Sequence, residues 1–83
     1  MERAQSLLAT HIPGVIFRPT YFYQMHTISP DALRFNYHDP IASVDIQYFR
    51  RITTYRGDTD TFETIRITHN NHILLDDTFY FPV

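Results

Sequence analysis

From Ala42 to Arg56 apolar character follows a period of two: Val44, Ile46, Tyr48 and Ile52 fall on one side, and Asp45, Gln47, Phe49, Arg51, Thr53 and Tyr55 on the other. A helix cannot gather either set on one face, whereas a strand sends successive side chains to opposite faces. This is the longest strand candidate in the chain, and it commits the fold to a sheet.

The rest of the chain supplies partners for it. Residues 14 to 28, GVIFRPTYFYQMHTI, also alternate, with Val15, Phe17, Tyr21, Tyr23 and Met25 opposite Ile16, Arg18, Thr20, Phe22 and Gln24. Pro19 lacks an amide donor, which predicts an edge position or a bulge there. Ser29-Pro30-Asp31 fits either a helix start or a β-turn, and the alternation of Leu33, Phe35 and Tyr37 with Arg34, Asn36 and His38 selects the turn and a hairpin. Asp39-Pro40 makes the next corner, and Gly57 with Asp58-Thr59-Asp60 is expected to form a loop. Phe62 to Thr68 and His72 to Phe81 are the last two strands, joined at Asn70-Asn71, because asparagine tolerates the positive φ that a two-residue type I′ turn demands.

Only the first segment turns helically. Ala4, Leu7, Leu8 and His11 share one face of Glu2 to His11, Ile12 extends it and Pro13-Gly14 stops it. Such a short helix is unstable alone, so its leucine stripe must lie on something. The expectation is an α+β fold, a short N-terminal helix packed on a roughly five-stranded antiparallel meander, with residues 1–83 as one domain.

Composition narrows the chemistry. The chain has no cysteine, which excludes disulfides, thiolate nucleophiles and Cys-based metal centres. No apolar run approaches a membrane span and the first residues are too polar for a secretory signal, so a soluble, cytoplasmic protein is expected. A net charge of −2 gives little footing for the phosphate backbone of nucleic acid. All 7 basic residues are arginine, the cation suited to bidentate contacts and to stacking on rings.

The segment IRITHNNHILLDD, residues 65 to 77, raises the question of a metal or acid–base site. In a two-residue hairpin His69 and His72 are the closing cross-strand pair, with Ile67 then facing Leu74 and Ile65 facing Asp76. Two histidines do not make a metal site, and a third ligand would have to come from His26 or His38. Asp76 and Asp77 point to opposite faces of a regular strand, so they form no carboxylate dyad; a bulge there would return Phe79 and Phe81, or Tyr80, to the core. Arg56-Gly57-Asp58 reads as hairpin chemistry before adhesion, and with glycine only at positions 14 and 57 there is no phosphate loop. No metal, cofactor or catalytic residue is assigned. If the chain is an enzyme, His38 with Asp39, or His69 with His72, is where acid–base work would be sought.

The segment PGVIFRPTYF, residues 13 to 22, resembles a stretch in the C-terminal domain of a family of exo-acting muramidases of cell-wall recycling. The likeness covers about ten residues, and the catalytic half of that family would not fit in this chain, so neither activity nor residue role carries over.

What remains is the second face of the long strand. Antiparallel sheets that meet water are polar on that side, yet here Phe49, Arg51 and Tyr55 occupy it, and Phe22 of the first strand could join them. Aromatic rings interleaved with arginine are the composition of a protein interface core, and of a single-strand nucleic-acid platform that the net charge disfavours. The expected function is a small non-catalytic binding, adaptor or regulatory module acting through protein contact at Phe49, Arg51 and Tyr55, with a homodimer as its expected state. The alternative is a small acid–base enzyme or ligand-binding domain using histidine with a carboxylate.

Overall fold

The computed structural model describes residues 3–18 and 23–82. Helix α1 (Arg3–His11) precedes strands β1 (Tyr23–Ser29), β2 (Ala32–Asp39), β3 (Val44–Tyr55), β4 (Asp58–His69) and β5 (His72–Pro82). The strands form one antiparallel sheet in the order β1-β2-β3-β4-β5, so the α+β meander expected from the periodicity is the fold.

Helix α1 buries Ala4, Leu7 and Leu8, the stripe its spacing predicted. Its end is set by Pro13-Gly14: the Val15 amide donates to the Ile12 carbonyl at 3.2 Å, and Gly14 turns the chain at φ 99°, a conformation that glycine adopts without steric cost. The stripe and Ile12 pack on Phe35, Tyr37, Val44, Ile46, Tyr48, Ile65 and Ile67, one face of the three central strands. Phe35 and Tyr48 stack with centroids 4.6 Å apart. Burial of side chains of this size stabilises by roughly 1.5–3 kcal/mol each, which is what holds so short a helix in place.

The turns follow their chemistry. Ser29 faces Ala32 across Pro30-Asp31, where the Ser29 hydroxyl donates to Asp31 at 2.5 Å. Asn70 and Asn71 adopt φ of 51° and 64°, the left-handed pair of a type I′ turn, and His69 faces His72 as expected. Between β2 and β3, Asp39 folds its carboxylate back onto the amides of Ile41 and Ala42, both at 3.0 Å, and the chain takes residues 40–43 to turn. Strand β3 therefore starts at Val44, two residues after the expected Ala42.

Three sequence expectations are corrected. Of the alternating segment 14 to 28, residues 15–18 carry no strand pairing, Val15 and Phe17 packing against the core instead, and the described part of β1 begins at Tyr23. The expected irregularity at Pro19, with Thr20, Tyr21 and Phe22, lies outside the described residues. Asp58-Thr59-Asp60 is no loop: Arg56 and Gly57, at φ 52° and 82°, make a two-residue turn alone, and Asp58 already faces Tyr55 in the ladder.

The third correction concerns β5. Ile67 faces Leu75 and Ile65 faces Asp77, one residue beyond the register expected from a regular hairpin. The bulge lies at Leu74, not at Asp76-Asp77, between the Ile67–Leu75 and Thr68–Ile73 pairs. The physical reason is parity. An unbroken ladder from His72 would turn Leu75 and Phe79 away from the helix, and one inserted residue returns both to the core, where they are partly buried.

Candidate interaction surface

The helix covers one face of the sheet and leaves the other open. Strand register sorts the open face into rows, each crossing the sheet at right angles to the strands. One row joins Gln24, Asn36, Gln47, Arg66 and Asp76, a member from every strand. The next joins His26, Arg34, Phe49, Thr64 and Thr78, and beyond it Arg51, Phe62 and Tyr80 follow. This face holds a depression of about 760 Å³, open to solvent, with Asn36, Gln47, Phe49 and Arg66 among its lining residues.

Phe49, Arg51 and Tyr55, the residues singled out by periodicity, all lie on this face. Phe49 is half-buried, Arg51 is exposed and Tyr55 is 69% exposed. Phe49 does not stand alone. Its ring lies 5.7 Å from that of Phe62, which lies 6.1 Å from that of Tyr80, so three strands contribute to one aromatic ladder. The guanidinium groups of Arg34 and Arg51 sit over the Phe49 ring at 5.5 and 5.7 Å, and Arg56 sits over Tyr55 at 5.3 Å. Among the described residues neither Arg34 nor Arg51 forms an ion pair.

Sequence reading missed Arg34, Phe62 and Tyr80. Period two places each on a face of its own strand, but only the register of β2 and β4 on β3, and of β5 on β4, shows that they share the face of Phe49. Tyr80 was further obscured by the bulge, which decides whether it or Phe79 meets the core.

The histidines are arranged otherwise than the enzyme reading requires. His38 and Asp39 point to opposite faces, and the partner of His38 is Asp45 across the strand pair, Nδ1 to Oδ1 at 2.6 Å with both side chains about half exposed. His26 and His38 lie on the open face, whereas His69 and His72 lie on the helix side beside Val44, so the two sets cannot converge on one ion. Among the described residues no group of three or more His, Asp or Glu side chains is placed to hold a metal.

Two buried polar clusters flank the helix and were not foreseen. Asp39 is fully buried, and besides the turn amides it accepts from the Tyr37 hydroxyl and from Arg18, each at 3.2 Å. Burial alone raises its pKa; the Ala42, Tyr37 and Ile41 hydrogen bonds and the Arg18 charge outweigh that and hold the carboxyl below its ordinary range. The Tyr37 hydroxyl in turn accepts from the Arg18 amide at 2.9 Å, and its pKa is raised, first by burial. At the other end of the helix Glu63 accepts from the Tyr48 hydroxyl at 2.5 Å and from Arg3 at 3.0 Å. Burial, then the bond to Glu63 and its charge, push the Tyr48 phenol up to about 12. Both clusters tie sequence-distant segments together, and neither faces the open surface.

Compared with protein-family models, with curated proteins and with solved structures, the chain matches none. The muramidase-like segment 13–22 runs into residues 19–22, outside the described residues.

Proposed function

We propose that this protein is a small non-catalytic binding module that acts by protein contact through the open sheet face, with a second copy of the same chain as its first partner. The observation that carries the reading is the Phe49–Phe62–Tyr80 ladder roofed by the guanidiniums of Arg34 and Arg51 on the face the helix leaves bare. Rings and arginines of this kind are the groups that anchor protein interfaces. Asp60 and Asp76 share the face with these arginines, which allows the charge pattern to complement itself about a two-fold axis.

Size supports a partner. The accessible surface is 5764 Å², against about 5,200 Å² for a compact monomer of this mass. The radius of gyration is 13.8 Å, against about 11.8 Å for a compact chain of this length. An elongated domain with its aromatic side uncovered has the area that a specific interface of about 1,200 Å² or more requires. The His38–Asp45 pair is the one observation that favours the acid–base alternative, and its position on an open, solvated strand pair favours binding instead.

The test is the double variant Arg51→Ala/Tyr55→Ala, followed by light scattering and a thermal melt. Because both side chains are exposed, the melt is expected to stay within a few degrees of wild type while self-association weakens by about 2 kcal/mol or more. A wild-type chain that remains monomeric at every concentration, or a variant that associates as wild type does, rejects the proposal.

A further inference from the structure

The row Gln24–Asn36–Gln47–Arg66–Asp76 lies beside the aromatic ladder and is not used by it. All five side chains are exposed, and among the described residues none of them hydrogen bonds within the chain. Three carboxamides, a guanidinium and a carboxylate thus stand in line, each planar and each able to hold two hydrogen bonds to one ligand in a fork. Surface polar residues usually scatter; here strand pairing sets five of them side by side in the floor of a concave face bordered by the Phe49 ring. We infer that this row is a binding site for an extended neutral glycan, lying across the sheet at right angles to the strands.

Spacing and charge select the ligand class. Neighbouring members of the row are one strand apart, about 4.8 Å, and the row spans about 19 Å over its four gaps. Linked sugar rings repeat at nearly the spacing of strands, and each ring offers adjacent hydroxyls that donate and accept together, the complement of an amide or carboxylate fork. An extended peptide presents equivalent groups only every second residue, about 6.8 Å apart, and falls out of step with the row. Nucleic acid needs net positive charge along its backbone, whereas the row carries one guanidinium and one carboxylate in a chain of net charge −2. Phe49, half-buried in the adjoining row, supplies an apolar border beside these polar groups. The site borders the protein-contact surface at Phe49 and shares Asp76 with it, whereas Arg51, Tyr55, Phe62 and Tyr80 lie farther along the same face and belong to that surface alone.

The experiment is an NMR titration of the isotopically labelled full chain with cellotetraose, xylotetraose and maltotetraose, and in parallel with an oligouridylate and an acidic peptide. At least one tetrasaccharide is expected to give saturable shifts centred on the Gln24, Asn36 and Gln47 side-chain amides. Asn36→Ala/Gln47→Ala should weaken that binding by about tenfold or more, the equivalent of one net hydrogen bond, with an unchanged melting temperature. Arg51→Ala/Tyr55→Ala should leave it intact, which separates this site from the protein-contact surface. No saturable shift with any of the three sugars overturns the inference. So does binding that survives the Asn36/Gln47 substitutions, or shifts that only the peptide or the oligonucleotide produces.

Discussion

Tyr48 carries a pH signature on the alkaline side. An unfolded tyrosine ionises near pH 10, whereas burial and the bond to Glu63 hold the folded phenol at about 12. The folded state thus favours the protonated form. Its contribution is complete below about pH 10 and is lost as pH rises from there through about 12. Tyr37, also raised, adds to the same alkaline loss, while Asp39, lowered, acts at the other end. The Asp39 contribution is full above about pH 4 and disappears as pH falls through the depressed folded value. Thermal melts across pH should show both limbs. Tyr48→Phe should lower stability at neutral pH by about 1–3 kcal/mol, because it leaves the Glu63 carboxylate short of a donor, and should flatten the alkaline limb. An alkaline limb as steep in Tyr48→Phe as in wild type would assign the effect elsewhere.

At the scale of elements, β5 is an exposed edge of 11 residues carrying Ile73, Leu74, Tyr80 and Phe81, each at least 44% exposed. Long apolar edges invite pairing with other chains, and proteins blunt them with charges and bulges. Here Asp76 and Asp77 place one carboxylate on each face at mid-strand, and the Leu74 bulge interrupts the ladder just before them. This gives the aspartate pair a role that neither a catalytic dyad nor a kink requires. Asp76→Val/Asp77→Val should fold and then aggregate, detected as a rise in thioflavin fluorescence and turbidity at concentrations where wild type stays clear. If the variant remains as soluble as wild type, the edge is protected by something else.

Across the whole molecule stability is unevenly distributed. The helix covers the half of the sheet that holds Val44, Ile46, Tyr48, Ile65 and Ile67. Pairing with β2 ends at Arg51 and pairing with β5 ends at Asp60, so the tip between them is a two-stranded ribbon. The molecule is correspondingly long, 46 Å against 22 and 20 Å across. Isolated two-stranded ribbons are marginal in water. Amide hydrogen exchange is expected to be fast from residue 53 to residue 59 and to approach the global unfolding limit at Ile46 and Ile67. Uniform protection along β3 would mean that the tip is covered in solution, as it would be if the dimer interface extended to Tyr55.

Local pattern determined the element types. The alternation read over residues 42–56, the Leu7-Leu8 stripe ended by Pro13-Gly14 and the Asn70-Asn71 turn each depend on side chains a few positions apart; the stripe and the turn stand as read, and the strand occupies Val44–Tyr55 within its expected bounds. The open face of β3, with Phe49, Arg51 and Tyr55, was legible for the same reason. What escaped depends on contacts between distant segments. Arg18 meets Asp39 and Tyr37, and Arg3 meets Glu63, through a core whose packing no local period encodes. The Leu74 bulge is decided by the need to return Leu75 and Phe79 to that core, not by any turn residue. The two rows of the open face likewise exist only through pairing, since a strand's own alternation says which face a side chain takes but not which neighbours it will have. Secondary structure here is a property of the sequence, and the composition of the surface is a property of the register.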